Sequence, residues 1–522
     1  MSLIEGFIKI PKPIKITFVF GMVFLFIAWQ VFFFAYIVPS KLNKPILPYG
    51  FCKDCNVILI LLDTLRAKSL PCYGYNKNTS PNLCNLAGKS FLFTRTYSQS
   101  SYTMDSHFSI MTSLYPISHK MTVPFESVLS DKILTLTQVL RDRDYFTLFF
   151  GTTNNHVLPL DKGLGKGLIH SIQAQIPQEW VDSSADYLNK DKKFFATMYT
   201  DFLHAPYTPK KENIARFYNG FENAFITKNE LCNSAYRKII KDNPLRFINT
   251  SQKQVSTEEE CRKLELQLSR SNYFPWNNNK DRLLYLKTRD SIYLNTFSGI
   301  ETEEKKKYLQ ALYETSIYEL DTELEKFFDY LEKKDLMKNT IVIITSQHGE
   351  SFQEHGSWEH GDTLYNEAIH IPLIIYVPDS KPQVMEKISE SIDIAPTILY
   401  LLGIDSPSQF VGLNLFSPQK KEYAISEQFL DRKYSILPKD WKLIINNDNK
   451  GGKVTKEFYD MKKDYGEKVN VLDDYPEISS FIEKSLNSIL FNQPVYEQKN
   501  NQPFPTWVDD KGRKKLIETG YF

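Results

Sequence analysis

Three apolar runs of strand length each deliver polar, chemically competent residues. Asn56–Leu62 (NVILILL) ends in Asp63-Thr64, and Lys193–Tyr199 (KFFATMY) runs on to His204. Asn339–Ser346 (NTIVIITS) leads into Gln347-His348-Gly349-Glu350. Open α/β sheets bind ligands at the carboxyl ends of such strands. Carboxylate and imidazole brought together from separate strand ends can hold a catalytic divalent metal. Taken singly, each of these residues is as readily a helix cap or a satisfied loop group; their joint position favours a site. A fourth segment, Ser98–His107 (SQSSYTMDSH), is rich in hydroxyls and precedes the helical apolar pattern Phe108–Leu114. A hydroxyl there can cap the helix, or act as a nucleophile whose anionic ester sits at the helix N-terminus. Spacing alone leaves both readings open.

The elements that would position these groups alternate. Besides the three runs above, Tyr145–Phe150 and Ile371–Val377 read as buried strands. Leu134–Arg143, Glu303–Lys333 and Asp393–Leu402 read as helices, with Leu309, Leu312, Ile317, Leu320 and Leu324 near helical spacing. That alternation predicts a mostly parallel sheet with helices on both faces. Residues 210–290 are polar and aperiodic, an insertion or lid. Beyond about residue 420 shorter strands and turns suggest a small subdomain, 421–522, appended to a main domain over 55–420.

The chain has 522 residues, 42% hydrophobic and 24% charged, which excludes bulk disorder and a multi-span membrane protein. Lys+Arg number 63 against 62 Asp+Glu, a net charge of +1 that argues against nucleic acid as a partner. Ile16–Val38 carries no formal charge over 23 residues, enough for a helix of about 35 Å to cross a bilayer core. Lys9, Lys12 and Lys15 precede it, so residues 1–15 are expected on the cytoplasmic side. No small-x-small cleavage pattern follows, which favours an uncleaved single-pass anchor in the cytoplasmic membrane, with 39–54 a linker to an extracytoplasmic domain. Six cysteines suit that oxidising side; Cys52-x-x-Cys55 lacks the second pair of a zinc ribbon. Cys72 with Cys84, and Cys232 with Cys261, are plausible bridges by proximity in sequence.

The ordered motifs of residues 56–470 resemble the sulfatase family of the alkaline phosphatase superfamily. The resemblance rests on Asn56–Leu70 with Tyr73-Gly74, Ser80-Pro81-Asn82-Leu83, Thr103–Pro116, His204-Ala205-Pro206-Tyr207, Thr345–Glu350, Glu354-His355-Gly356, His360-Gly361, Ser391–Thr397 and Phe458–Glu467. It implies an alkaline phosphatase-like α/β sandwich. It further implies one divalent metal (Ca, Mn, Mg or Zn) on Asp63, Thr103, Gln347 and His348, with Thr103 as nucleophile. His204 and His360 would bind non-bridging oxygens or protonate the leaving group, with His119 a weaker candidate. The partner implied is an ester-bearing glycan or lipid head group.

The chain departs from the family pattern at four positions. Thr103 stands where sulfatases carry the Cys or Ser that becomes formylglycine, and a threonine cannot supply that aldehyde hydrate. Threonine in this role is similar to membrane-anchored phosphoethanolamine and phosphoglycerol transferases of the superfamily, so phosphate as well as sulfate esters are expected substrates. His107 and Asp105 replace the family's arginine and proline. Gln347 replaces an aspartate, which makes a catalytically silent, glycan- or lipid-binding relative the alternative. Were the nucleophile loop aligned differently, Ser101 or Ser106 would take the place of Thr103.

Overall fold

The computed structural model describes residues 45–121, 128–151, 158, 160–188, 192–205, 207–219, 302–428, 433–447 and 454–496. The segment Ile16–Val38 expected to be an anchor, Pro206, Cys232, Cys261 and nearly all of the expected 210–290 insertion lie outside the described residues. Among the described residues, no helix is long and apolar enough to cross a membrane.

Seven consecutive apolar or amide residues make β1 (Asn56–Leu62) a central strand, buried along its whole length. It pairs in parallel with β6 (Thr340–Thr345) on one side and β5 (Phe194–Thr200) on the other. Outward from β5 follow β3 (Phe146–Phe150) and β4 (His170–Ile172). Outward from β6 lie β9 (His370–Tyr376), β2 (Phe91–Tyr97) and β10 (Gln383–Glu390). The eight strands run β10-β2-β9-β6-β1-β5-β3-β4, parallel throughout except where β9 runs antiparallel to β2 and β6. The mostly parallel sheet expected from the alternation is therefore present, with one reversed strand inside it. A small hairpin of β7 (Ser351–Phe352) and β8 (Trp358–Glu359) stands apart.

Side chains alternate across a strand, so Ile58, Ile60 and Leu62 share one face of β1. There they pack with Leu309, Leu312, Ile317, Leu320 and Leu324 of a 32-residue helix, Thr302–Lys333. Each such aliphatic side chain contributes about 1.5–3 kcal/mol on burial. Numbering the helices used below in chain order, α1 is Pro81–Ala87, α2 Thr103–Thr112, α3 Leu136–Arg141, α4 Pro177–Tyr187, α5 the long helix Thr302–Lys333, α6 Ile394–Leu401 and α7 Pro476–Phe491. Helix α3 starts at a capping box in which Thr135 and Gln138 satisfy each other's backbone N–H groups. Trp180 of α4 is fully buried, with its ring edge-on to Phe327 of α5.

The strands after residue 420 form their own antiparallel sheet, β11 (Tyr423–Gln428), β12 (Lys433–Pro438), β13 (Trp441–Asn447) and β14 (Val454–Asp460). Its period-2 pattern serves two cores. Ile425, Ile436, Leu443 and Phe458 pack under Ile482 and Leu486 of α7. Their neighbours Ala424, Leu437, Ile444 and Tyr459 face Leu364, Ile369 and Ile388. The described residues within Tyr49–Leu415 and those from Lys421 to 496 belong to one unit. Residues 45–48 with Phe416–Lys420 fall in another, in which the Ile46 N–H donates to Phe416 O at 3.0 Å.

Cys72 and Cys84 are disulfide-bonded, as sequence proximity suggested, and Cys52 is bonded to Cys55. Loop closure by the longer of the two is worth roughly 3 kcal/mol.

Candidate active site

The β6-β1-β5 order brings the carboxyl ends of three adjacent parallel strands to one edge. Leu61 is in register with Thr345, and Leu62 with Thr200. Asp63, the Gln347-His348 pair and the turn to His204 consequently emerge side by side. The Asp63 N–H closes the ladder onto Thr200 O at 3.0 Å. Ser346 Oγ ties the neighbouring ends together, accepting from the Leu65 N–H at 3.1 Å and donating to His348 O at 2.6 Å. Thr64 takes a left-handed conformation (φ 59°), turning the chain sharply past Asp63.

Helix α2 begins at Thr103, five residues earlier than the apolar pattern alone indicated, so Thr103 is its first residue. Thr103 Oγ1 lies 2.9 Å from His348 Nε2 and 3.5 Å from each oxygen of Asp63. Asp63 Oδ1 accepts from the Thr64 N–H at 3.0 Å, and Oδ2 from Tyr199 OH at 2.8 Å. His348 Nδ1 donates to Gly349 O at 2.9 Å, because a carbonyl can only accept. The same ring therefore turns a bare Nε2 lone pair to Thr103. Burial and the neighbouring His360 push His348 down to about 4, which keeps it neutral. Gly349 is required here: a Cβ would stand 2.0 Å from Glu367 O.

Asp63 Oδ1 and His348 Nε2 are only 3.4 Å apart, and both are acceptors. Gln347 Oε1 is buried and has no hydrogen-bond partner among the described residues. One threonine hydroxyl cannot satisfy this surplus of lone pairs, whereas a cation can. The four residues named from the sequence thus fit a divalent ion.

His204 and His360 are also brought in. The His360 ring stacks on His348 at 4.2 Å between centroids, and His204 meets His360 edge-on at 4.9 Å. His204 Nδ1 bonds Ala205 O at 2.7 Å. His360 Nδ1 bonds Glu350 Oε1 at 3.1 Å, and Glu350 Oε2 accepts from Tyr207 OH at 2.8 Å. Burial raises Glu350 to about 7 and lowers His360 to about 3, so near neutrality His360 is uncharged while Glu350 is poised between its protonated and ionised forms. Buried Arg66 donates to Glu350 O at 3.2 Å and pairs with Glu354 at 2.6 Å, bracing the loop that carries Glu350. Glu350, Tyr199 and Arg66 were missed as site residues. Their motif positions were legible, but no local spacing marks them as partners of His360 or Asp63.

Three sequence candidates go elsewhere. His119 is a core residue, with Nε2 on Ser109 Oγ at 3.0 Å and Nδ1 accepting from the Met121 N–H at 3.0 Å. Ser106 Oγ is held by Ser100 O and Tyr102 O, each at 2.8 Å. Ser101 Oγ is buried and makes no hydrogen bond to Asp63 or His348 among the described residues.

Behind α2 a second acidic group is strained by its surroundings. Glu427 of β11 accepts the Ile117 N–H at 3.1 Å through Oε2, while Oε1 has no partner among the described residues. Burial, then the nearby Asp105 and Glu390, raise it to about 8. A carboxyl raised above its ordinary 4.5 supports folding while protonated, and that support is lost as pH climbs through 8. Glu427→Gln is therefore expected to raise the melting temperature above pH 8 by several degrees and to leave it unchanged at acid pH. Equal effects at both pH values would refute a charge origin.

The sulfatase family profile matches residues 55–404, and an N-sulphoglucosamine sulphohydrolase C-terminal profile matches residues 353–492. Mouse (Mus musculus) arylsulfatase K is 28% identical over 245 residues, covering 43% of this chain and 44% of that protein. The chain thus matches under half the length of that relative. N-acetylglucosamine-6-O-sulfatase of Bacteroides thetaiotaomicron is 23% identical over 529 residues, 89% of this chain and 91% of the relative. The fold matches the structure of BT4656 in complex with its substrate D-glucosamine-2-N,6-O-disulfate. That likeness has a TM-score of 0.61 and 21% identity, over 85% of this chain and 99% of that one. With the family profile covering most of the chain, the protein belongs to the sulfatase family.

Proposed function

We propose that the protein is a metal-dependent ester hydrolase or transferase that works through Thr103 on a sulfate or phosphate ester of a glycan or lipid head group. The observation that carries this reading is the convergence of His348 Nε2 (2.9 Å) and both Asp63 oxygens (3.5 Å) on one hydroxyl at a helix N-terminus. Asp63, Thr103, Gln347 and His348 would hold the ion. When bound, it lowers the hydroxyl's pKa and neutralises charge on the transferred group. Thr103 Oγ1 attacks the sulfur or phosphorus, the substrate alcohol leaves, and the group rests on Thr103 until water or an acceptor alcohol removes it. The helix N-terminus favours that anionic ester. His204 and His360 hold the non-bridging oxygens or protonate the departing alcohol, with Glu350 storing a proton against His360 Nδ1.

The likeness to an N-acetylglucosamine-6-O-sulfatase and to the BT4656 complex with D-glucosamine-2-N,6-O-disulfate speaks for sulfate esters of glycans. Thr103 itself speaks for phosphate, because an ester on threonine cannot leave by elimination from an aldehyde hydrate. The sequence of Ile16–Val38 supports an anchor that holds the domain on the extracytoplasmic face. A second reading, a silent relative that binds the same head groups, is favoured by Gln347 in place of the family's aspartate.

The test is release of nitrophenol from 4-nitrophenyl sulfate and 4-nitrophenyl phosphate by the full-length chain with Ca, Mn, Mg or Zn. Mass spectrometry of the Thr103 peptide is run on the same samples. Turnover of either ester with a covalent gain on that peptide is expected. No turnover and no modification with any of the four ions would sink the enzymatic reading.

A further inference from the structure

Two of the departures from the family pattern meet in space. His107 lies four residues after Thr103 on α2, and residues i and i+4 share one helix face. The face that presents Thr103 to His348 therefore presents His107, one turn along, to the preceding residue, Gln347. Gln347 Nε2 lies 3.3 Å from His107 Nδ1. An amide NH2 can only donate, so in this contact Nδ1 is the acceptor. The main chain of Gln347 is held as well, since Ser98 Oγ donates to its carbonyl. Tyr199 closes the group, its hydroxyl on Asp63 and its ring edge-on to His107. With its backbone and its NH2 both engaged, the one free end of Gln347 is Oε1, buried and without a partner among the described residues.

We propose that His107 is a positioning residue that fixes the Gln347 amide with its oxygen, rather than its NH2, turned to the metal site. This rests on the metal reading given above. An oxygen is a ligand for a divalent cation, whereas an NH2 in the same place would oppose it. Where the family carries a carboxylate and a guanidinium, this chain has an amide and an imidazole joined by one hydrogen bond. Gln347 then marks a neutral replacement that keeps an oxygen for the metal rather than decay. A carboxylate needs no such partner, because both its oxygens can bind a cation; an amide does.

The test uses the full-length chain and isothermal titration with Ca, Mn, Mg and Zn, following the ion that binds most tightly. His107→Phe keeps a ring but removes the acceptor, and it should weaken binding by about 10–100-fold, the usual cost of losing a ligand's partner. His107→Asn places an oxygen where Nδ1 stood and should recover most of that loss. Gln347→Met should weaken binding to a similar extent, with the double variant H107F/Q347M no worse than Q347M. The metal-free melting temperature of each variant is read alongside; where His107→Phe does not fold, His107→Ala takes its place. Parental affinity in His107→Phe, or no recovery in His107→Asn, would overturn the proposal while leaving the metal reading intact. If the parent itself binds none of the four ions, the metal reading fails and this one with it.

Discussion

Thr103→Ala is expected to abolish turnover, lowering kcat by roughly 10^4- to 10^6-fold, as removal of a nucleophile does in enzymes that use one. The hydroxyl is the atom on which His348 and Asp63 converge. Deleting it leaves the remaining groups nothing to activate. Thr103 is the first residue of α2, where alanine is tolerated and its N–H has no intrahelical partner, so fold and metal-free stability should hold. Thr103→Ser should restore a substantial part of the activity. Ser101→Ala and Ser106→Ala should leave it near the parental level, since neither hydroxyl contacts the converging groups. Steady-state kinetics on whichever nitrophenyl ester is turned over decides the matter. Full activity in Thr103→Ala, or its loss in Ser101→Ala, would move the nucleophile to another residue.

Asp63→Asn is the second large effect. Asp63 is fully buried and is the only carboxylate contacting Thr103 among the described residues. With Gln347 neutral, it also supplies the one carboxylate among the four proposed ligands. The amide keeps the shape and an oxygen to accept from Tyr199 or the Thr64 N–H, but it removes the charge. Divalent-ion affinity should fall by more than the ~100-fold that loss of a mere ligand partner costs, and activity at low metal should disappear. Saturating metal should return part of the activity of Asp63→Asn, because weak binding is offset by concentration. It should return none to Thr103→Ala, which lacks the reacting oxygen. Metal-free stability should change little or rise, as removing a buried charge relieves its desolvation. Unaltered calorimetric metal affinity in Asp63→Asn would remove Asp63 from the ligand set.

These two effects separate what is local from what is not. NVILILL, KFFATMY and NTIVIITS read directly as strands because burial on both faces leaves a continuous apolar signature. Asp63, His204, Gln347 and His348 follow these runs directly, so their place at strand ends is legible in the sequence. Leu309 to Leu324 read as one face of α5 for the same reason, with period 3.6. Less was legible where the pattern is diluted. β2 (FLFTRTY) contains a half-buried Arg95. β10 (QVMEKISE) is an edge strand in which Gln383, Val384 and Glu386 are exposed, so neither run stood out as a strand. The start of α2 was obscured because Ser and Thr suit a cap and a first turn equally.

By itself the sequence determined the α/β alternation and the strand ends bearing Asp63, His204, Gln347 and His348; it made a bridge between Cys72 and Cys84 plausible, and the structure decided it. Only the tertiary structure decided that His119 belongs to the core, that Glu350 serves His360, and that His107 and Gln347 answer each other. Secondary structure follows periods of two and 3.6 residues, which a single sequence displays. The pairing of one lone pair with one hydrogen depends on rotamers and packing, here between residues 240 positions apart in the chain, and no local period encodes it.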